Sequence, residues 1–250
     1  RKAYDLLVQA EAGVLAVTGS PAEPAKAGIS IADIAGGMYA YSGILAALLQ
    51  RERTGRGGVV RTSLFAALAE WMSHPMLLTA LTGSPPYRNG ARHATIVPYG
   101  SYVTADGGEV LLAVQNEAEW QRLCRDVLDL PGLAGDPRYA GNQRRVEHRA
   151  KVEGLLSAAA GALTGAELLR RLEAAQIAYA FVREVGEVVA HPQLAGRWAA
   201  VGAGEREVAV LVPPVAHSGF GPVLGPVPRY GEHTEAVLAE FAAGDDAGGA

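Results

Sequence analysis

In Gly28-Ile29-Ser30-Ile31-Ala32-Asp33-Ile34-Ala35-Gly36-Gly37-Met38, Ser30 and Asp33 have the S-x-x-D spacing of a capping box and predict the start of a helix. Downstream, Ile34, Met38, Tyr41, Leu45, Leu48 and Leu49 fall at three- and four-residue intervals. Gly36, Ala40, Gly43 and Ala47 form a row of small residues against which another backbone can close. Gly55-Arg56-Gly57-Gly58 ends this helix, and Val59 to Leu64 predicts a strand leading into a helix over Ala66 to Met72. Helix, turn, strand and helix in that order predict an α/β fold.

Working outward, Thr82 to Gly100 carries many chain breakers and little periodicity, which predicts a long loop or linker. A hairpin fits Tyr99 to Thr104 and Glu109 to Gln115 around Ala105-Asp106-Gly107-Gly108. Asn116 with Glu119 caps a helix bearing Trp120, Leu123, Val127 and Leu128, and a second helix is expected over Arg145 to Leu156. Thr164 with Glu167 opens another helix reaching Ala175, followed by a short strand from Ile177 to Val182. Beyond that, a short helix near Val185 to Ala190, a strand at Val208 to Val212, a Gly/Pro-rich stretch from Pro213 to Tyr230, and a helix from about Glu232 to Phe241 precede a small-residue tail.

Composition narrows the function. The 31 Gly and 14 Pro are less than a fifth of the 250 residues, below the roughly 25–30% of low-complexity chains. A net charge of −4 without a basic stripe argues against nucleic acid as a partner. One cysteine, Cys124, forbids an intrachain disulfide, and six scattered His supply no metal-ligand spacing, so no metal and a cytoplasmic setting are expected. The uncharged run Ile34 to Leu49 is 16 residues long and rich in Gly. A bilayer core of roughly 30 Å needs more, so this run reads as a buried helix, with no membrane partner. Arg1-Lys2-Ala3-Tyr4-Asp5 lacks the apolar core of a signal peptide, and residue 1 is not Met, so the chain is expected to be part of a longer gene product.

No dinucleotide-binding glycine pattern, phosphate loop, His-Glu-x-x-His or nucleophile elbow occurs. From the residues alone, Asp33 is the leading candidate: it sits in the first turn of a helix, where free N–H groups and the dipole favour a carboxylate, and Gly36 and Gly37 leave room for a ligand. The plainer alternative is that Asp33 only caps its helix.

Val8-Gln9-Ala10-Glu11-Ala12-Gly13, Val17-Thr18-Gly19, Gly28 to Ile34, Ile44 to Leu48, Arg53-Thr54-Gly55-Arg56-Gly57, Ser63-Leu64-Phe65, Pro98-Tyr99-Gly100, Asp106-Gly107, His191-Pro192-Gln193-Leu194 and Gly231-Glu232-His233-Thr234 resemble, in order, the family III CoA-transferases. The resemblance covers nearly the whole chain and implies the later portion of such a protein, without the N-terminal nucleotide-fold segment that supplies much of the CoA pocket. It implies residues 1–80 as large-domain part with the catalytic Asp, 81–99 as linker and active-site loop, 100–183 as a small α+β domain and 184–250 as a return to the large domain. An interlocked homodimer is implied as well.

The resemblance also makes Asp33 the nucleophile. Its carboxylate attacks the thioester carbonyl of an acyl-CoA to give a mixed anhydride and CoA thiolate. Thiolate attacks the Asp33 carbonyl as the first acid leaves, and the acceptor acid completes the exchange through a second anhydride. CoA and acyl-CoA are thus substrates, and no tightly held cofactor is implied. Lys2, Ala3, Tyr4 and Asp5 match a CoA-contacting segment; Tyr4 stands where racemases of the superfamily carry a catalytic His, which favours transfer. Arg92 and His93 lie in a segment that covers the active site, where the formyl-CoA enzymes have a glycine run. That departure argues against formyl and oxalate substrates, and the two side chains suit the distal carboxylate of a C4–C5 diacid such as itaconate, with succinyl-CoA as donor. An acyl-CoA isomerase or racemase, or a silent CoA-binding homologue, are the alternatives.

Elsewhere plain roles are expected: Cys124 as a core residue; Arg144, Arg145, His148, Arg149 and Lys151 as a solvated or interface face, with contact to CoA phosphates as the alternative; His191, His217 and His233 as turn residues.

Overall fold

Five helices in succession, α1 (Asp5–Glu11), α2 (Val14–Val17), α3 (Ile31–Thr54), α4 (Leu64–Trp71) and α5 (Ser73–Thr82), form the first part of the molecule. The computed structural model describes residues 2–245; Arg1 and residues 246–250, the end of the small-residue tail, lie outside the described residues. The chain divides into two units, 1–182 and 183–250.

Val8, Val14, Ala32 and Leu68 make the core of the helical part, with Ile31, Leu64 and Met72 packed against it. The small-residue row of α3 works as its spacing predicts. A Cβ on Gly36 would stand 2.6 Å from Leu64 Cδ2, and one on Gly43 would stand 2.8 Å from Val60 Cγ1. Gly55, at φ 70°, closes α3 in the left-handed conformation that a residue with Cβ resists.

Three expectations need correction here. The Val59 to Leu64 stretch carries no ladder, because a strand needs a hydrogen-bonding neighbour and none flanks it among the described residues. Ser63 Oγ instead accepts from the Ala66 N–H at 3.1 Å, so the next helix starts at Leu64. Nor is Ile34 to Leu49 a buried helix: α3 buries only Ala32, Ala35 and Gly36, while Met38 and Tyr41 are 58% and 61% exposed. Thirdly, α3 runs to 24 residues and by length and composition is apolar enough to cross a membrane, which the shorter uncharged run did not reveal. Its close approach to Leu64 and Val60 ties it to the neighbouring chain.

The second part of this unit is a three-stranded antiparallel sheet, β1 (Tyr99–Val103), β2 (Glu109–Ala113) and β3 (Ala178–Phe181), in the order β1-β2-β3. Tyr99 pairs with Ala113 and Val103 with Glu109; Gly107, at φ 81°, makes the turn that Asp106-Gly107 predicts. Helices α6 (Glu117–Arg122), α7 (Pro131–Ala134), α8 (Asn142–Glu147), α9 (Arg149–Ala160) and α10 (Gly165–Ala174) cover it around a core of Tyr102, Leu112, Trp120, Leu156, Leu168 and Leu172. The helix expected over Arg145 to Leu156 is broken at His148 into α8 and α9. Cys124 is fully buried, and burial pushes its thiol up to about 12, as a core residue requires.

Two arginines on the supposed solvated face lie inside. Arg145 is buried, donating from Nε to the Val97 carbonyl at 2.9 Å and from Nη1 to Glu117 Oε2 at 2.8 Å and the Tyr139 carbonyl at 3.0 Å, with its guanidinium 4.8 Å from the centre of the Trp120 ring. Arg149 Nη2 donates to the carbonyls of His93 and Ala94 at 3.0 and 2.8 Å. Facing carboxylates and backbone carbonyls, such groups tolerate burial that an isolated charge would not.

The unit beginning at residue 183 holds α11 (Val185–Val189), a hairpin of β4 (Trp198–Ala203) and β5 (Arg206–Leu211), and α12 (Thr234–Asp245). β4 escapes sequence reading because Ala and Gly hide its alternation. His191 and His217 each accept a backbone N–H two residues on, at 3.2 and 2.9 Å, which is the turn role expected of them, and His233 precedes α12.

Candidate active site

The junction of α1 with α3 is built on two side chains. Gln9, fully buried, accepts the Ala27 N–H on Oε1 at 2.9 Å and donates from Nε2 to Asp5 Oδ2 at 2.7 Å and to the Ile29 carbonyl at 3.4 Å. Asp5 Oδ1 accepts the Ala32 N–H at 2.9 Å. A free amide in the first turn of α3 is therefore satisfied from α1.

That arrangement overturns the Ser30–Asp33 capping box. Ser30, at φ −77° and ψ 69°, is not in the extended conformation that aims a hydroxyl at the helix, and it makes no side-chain cap. Asp33 lies exposed in the first turn of α3, and among the described residues its carboxylate has no hydrogen-bond or ion-pair partner. Of the two glycines expected to leave room for a ligand, Gly37 faces open space, whereas Leu64 fills the space over Gly36. An unpartnered carboxylate at a helix start can attack an electrophilic carbonyl, and the backbone N–H groups beside it can stabilise the oxyanion that develops.

Lys2 and Ala3 line a cavity of about 310 Å³ with Leu7, Val8, Glu11 and Phe65. That is the low end of small-molecule pockets. Tyr4 is exposed at the start of α1, and Asp5 turns its carboxylate to Ala32 and Gln9, which is the role of a cap.

Arg92 and His93 lie elsewhere, at the edge of the three-stranded sheet. Arg92 forms a bridge with Gly100, and its Nε donates to Glu153 Oε2 at 3.3 Å. The His93 N–H donates to the Tyr99 carbonyl at 2.8 Å and its ring stacks on Tyr99 at 5.2 Å. The same loop is tied to the helical part, with Arg88 Nε donating to the Ser20 carbonyl at 3.0 Å and the Gly90 N–H to the Gly19 carbonyl at 2.8 Å. Among the described residues no hydrogen bond or ion pair joins Asp33 to Arg92 or His93. Glu153 and Tyr102, which hold this loop together with Arg149, carry no site signal in the sequence beyond the four-residue spacing of a helical ion pair between Arg149 and Glu153. No group of His, Cys, Asp or Glu among the described residues is arranged to hold a metal ion.

Comparison with known proteins supplies the class of this chain. A family model described as CoA-transferase family III matches residues 1–234, and the chain belongs to that family. It is 33% identical to a succinate–glutarate CoA-transferase of Agrobacterium fabrum over 95% of this chain and 60% of that protein. It is 32% identical to an acetyl-CoA:oxalate CoA-transferase of Acetobacter aceti over 96% of this chain and 62% of that one. A CAIB/BAIF family protein from Brucella suis superposes with a TM-score of 0.80 at 30% identity, covering 96% of this chain and 63% of that chain. The chain thus spans about three fifths of the length of these proteins.

Proposed function

We propose that the protein moves CoA from an acyl-CoA, succinyl-CoA foremost, to a C4–C5 dicarboxylic acid such as itaconate or glutarate, through Asp33. The observation that carries this is the open Asp33 carboxylate in the first turn of α3, at a helix start that Asp5 ties to α1 through the Ala32 N–H. Asp33 attacks the thioester carbonyl, forming an anhydride and expelling CoA thiolate. Thiolate attacks the Asp33 acyl carbon, expelling the donor acid and leaving an Asp33–CoA thioester. The acceptor carboxylate attacks that thioester, and the thiolate released attacks the acceptor's acyl carbon, yielding the new acyl-CoA and free Asp33. Positioning and oxyanion donors carry the rate.

Family membership supports CoA as substrate. A diacid acceptor is supported by the succinate–glutarate relative and by Arg92 and His93 in place of a glycine run; the oxalate relative at similar identity shows that overall likeness does not rank diacids by length. Lys2 and Ala3 at the cavity, a homodimer, a cytoplasmic setting, and a large domain of residues 1–80 and 184–250 around the small domain complete the proposal.

The test is to incubate the intact gene product with succinyl-CoA and itaconate, malate, citramalate, mesaconate or glutarate, following thioesters by mass spectrometry. A new thioester made by the unmutated protein and not by Asp33→Ala supports the proposal. No exchange, or equal exchange by Asp33→Ala, sinks it in favour of an isomerase or a silent binder.

A further inference from the structure

Where α9 packs on β1, four side chains form a charge cluster under the 83–98 loop. Glu153 is 7% exposed. Its Oε2 accepts from Tyr102 Oη at 2.7 Å and from Arg92 Nε at 3.3 Å, while its Oε1 faces Arg149 Nη1 at 3.7 Å. That last pair stands just beyond hydrogen-bond length, and both atoms are buried without a hydrogen-bond partner. Burial and the Glu153 charge push the Tyr102 phenol well above its ordinary value, so it is a neutral donor. One carboxylate therefore faces two guanidiniums, an excess of one positive charge.

The excess falls on Arg92. Arg149 spends Nη2 on two backbone carbonyls and is 15% exposed at its side chain; Arg92 is 38% exposed, and its Nη1 and Nη2 have no partner among the described residues. A guanidinium offers a carboxylate either its Nε side or its two terminal nitrogens, and Glu153 occupies the first. Beside it, His93 Nδ1 accepts the Thr95 N–H at 3.2 Å, so the neutral ring carries its proton on Nε2 as a second donor.

We propose that Glu153 is a positioning residue for a dicarboxylate: by taking Nε of Arg92 it leaves the terminal nitrogens of that guanidinium as the fork for the acid's distal carboxylate. This rests on transfer to a diacid as proposed above. The test is the acceptor KM of the intact gene product for glutarate and for butyrate, which lacks the distal carboxylate, in the unmutated protein, Glu153→Gln, Arg92→Ala and the double variant. Loss of a charge-assisted fork predicts a glutarate KM raised about tenfold or more in Glu153→Gln, an unchanged butyrate KM, and a double variant no worse than Arg92→Ala alone. Glu153→Asp keeps the buried charge and the fold and is expected to restore part of the glutarate affinity. A folded Glu153→Gln protein with the glutarate KM of the unmutated one, an equal loss on butyrate, or effects that add to those of Arg92→Ala would overturn the positioning role alone. Absence of transfer to any diacid by the unmutated protein would remove the diacid reading and this role with it.

Discussion

The Asp5 carboxylate accepts the Ala32 N–H at 2.9 Å, a bond across 27 residues that fixes the first turn of α3 to the first turn of α1. It separates two acidic groups that share one helix start: Asp5 caps, and Asp33 is left open to solvent. The catalytic geometry proposed above depends on that division of labour.

Asp5→Ala removes the acceptor for Ala32 and for Gln9, and is expected to cost about 1–2 kcal/mol, the range for a lost cap. Denaturant unfolding reads that loss, and kcat should fall with it while the KM for acyl-CoA stays put. A raised acyl-CoA KM with unchanged stability would return Asp5 to a ligand-contacting role.

Gly36 and Gly37 are neighbours with opposite expectations. A Cβ at Gly36 meets Leu64 Cδ2 at 2.6 Å, so Gly36→Ala forces a shift expected to cost about 1–3 kcal/mol. Gly37→Ala enters open space inside a helix and is expected to stabilise the fold by up to about 1 kcal/mol, yet to slow transfer by crowding the approach to Asp33. Thermal unfolding and turnover of the two variants check the contrast.

Arg145→Ala strands Glu117 and the carbonyls of Val97 and Tyr139 and empties the space against Trp120. Glu117 stays solvated at 46% exposure, so the expected cost is the roughly 1–3 kcal/mol of leaving buried acceptors unsatisfied. Arg144→Ala, at an exposed neighbour, should stay within about 0.5 kcal/mol by the same unfolding measurement.

Hydrogen bonds from Arg170 and Arg171 hold the Glu167 carboxyl at about 2, below its ordinary 4.5. A depressed carboxyl stabilises the folded state fully above the ordinary value and loses that contribution as pH falls through about 2. Unfolding midpoints of the unmutated protein and Glu167→Gln should differ at neutral pH, converge between pH 4.5 and 2, and differ less in high salt, because the pair is solvent-exposed.

Local signals were legible where no distant group competed. Asp106-Gly107 marks its hairpin, and Asn116 and Thr164 cap α6 and α10 through the residue three places on. The same spacing at Ser30 failed because its backbone, at φ −77° and ψ 69°, leaves the extended conformation a cap needs, while Asp5 from another helix takes the Ala32 N–H. The intervals of Ile34 to Leu49 identify a helix but not what covers it, and Val59 to Leu64 has the composition of a strand without a neighbour to pair with. Charge misled in the α8–α9 region, since Arg145 is buried and Arg149 half-buried against backbone carbonyls of the 93–98 and 139 stretches, partners that periodicity cannot assign. Of the proposed site, Asp33 was legible from its place in a helix start and from the family's motif; the buried cluster behind Arg92 depends on contacts 51 and 61 residues apart and was not.

The most direct test of the central claim is to trap the covalent intermediate. The intact gene product, incubated with succinyl-CoA and then hydroxylamine, should yield a hydroxamate on the peptide containing Asp33, because hydroxylamine attacks an activated Asp33 acyl carbon and displaces succinate or CoA. A hydroxamate confined to Asp33 and dependent on succinyl-CoA is the predicted result; turnover with a hydroxamate on another residue, or with none, would contradict it.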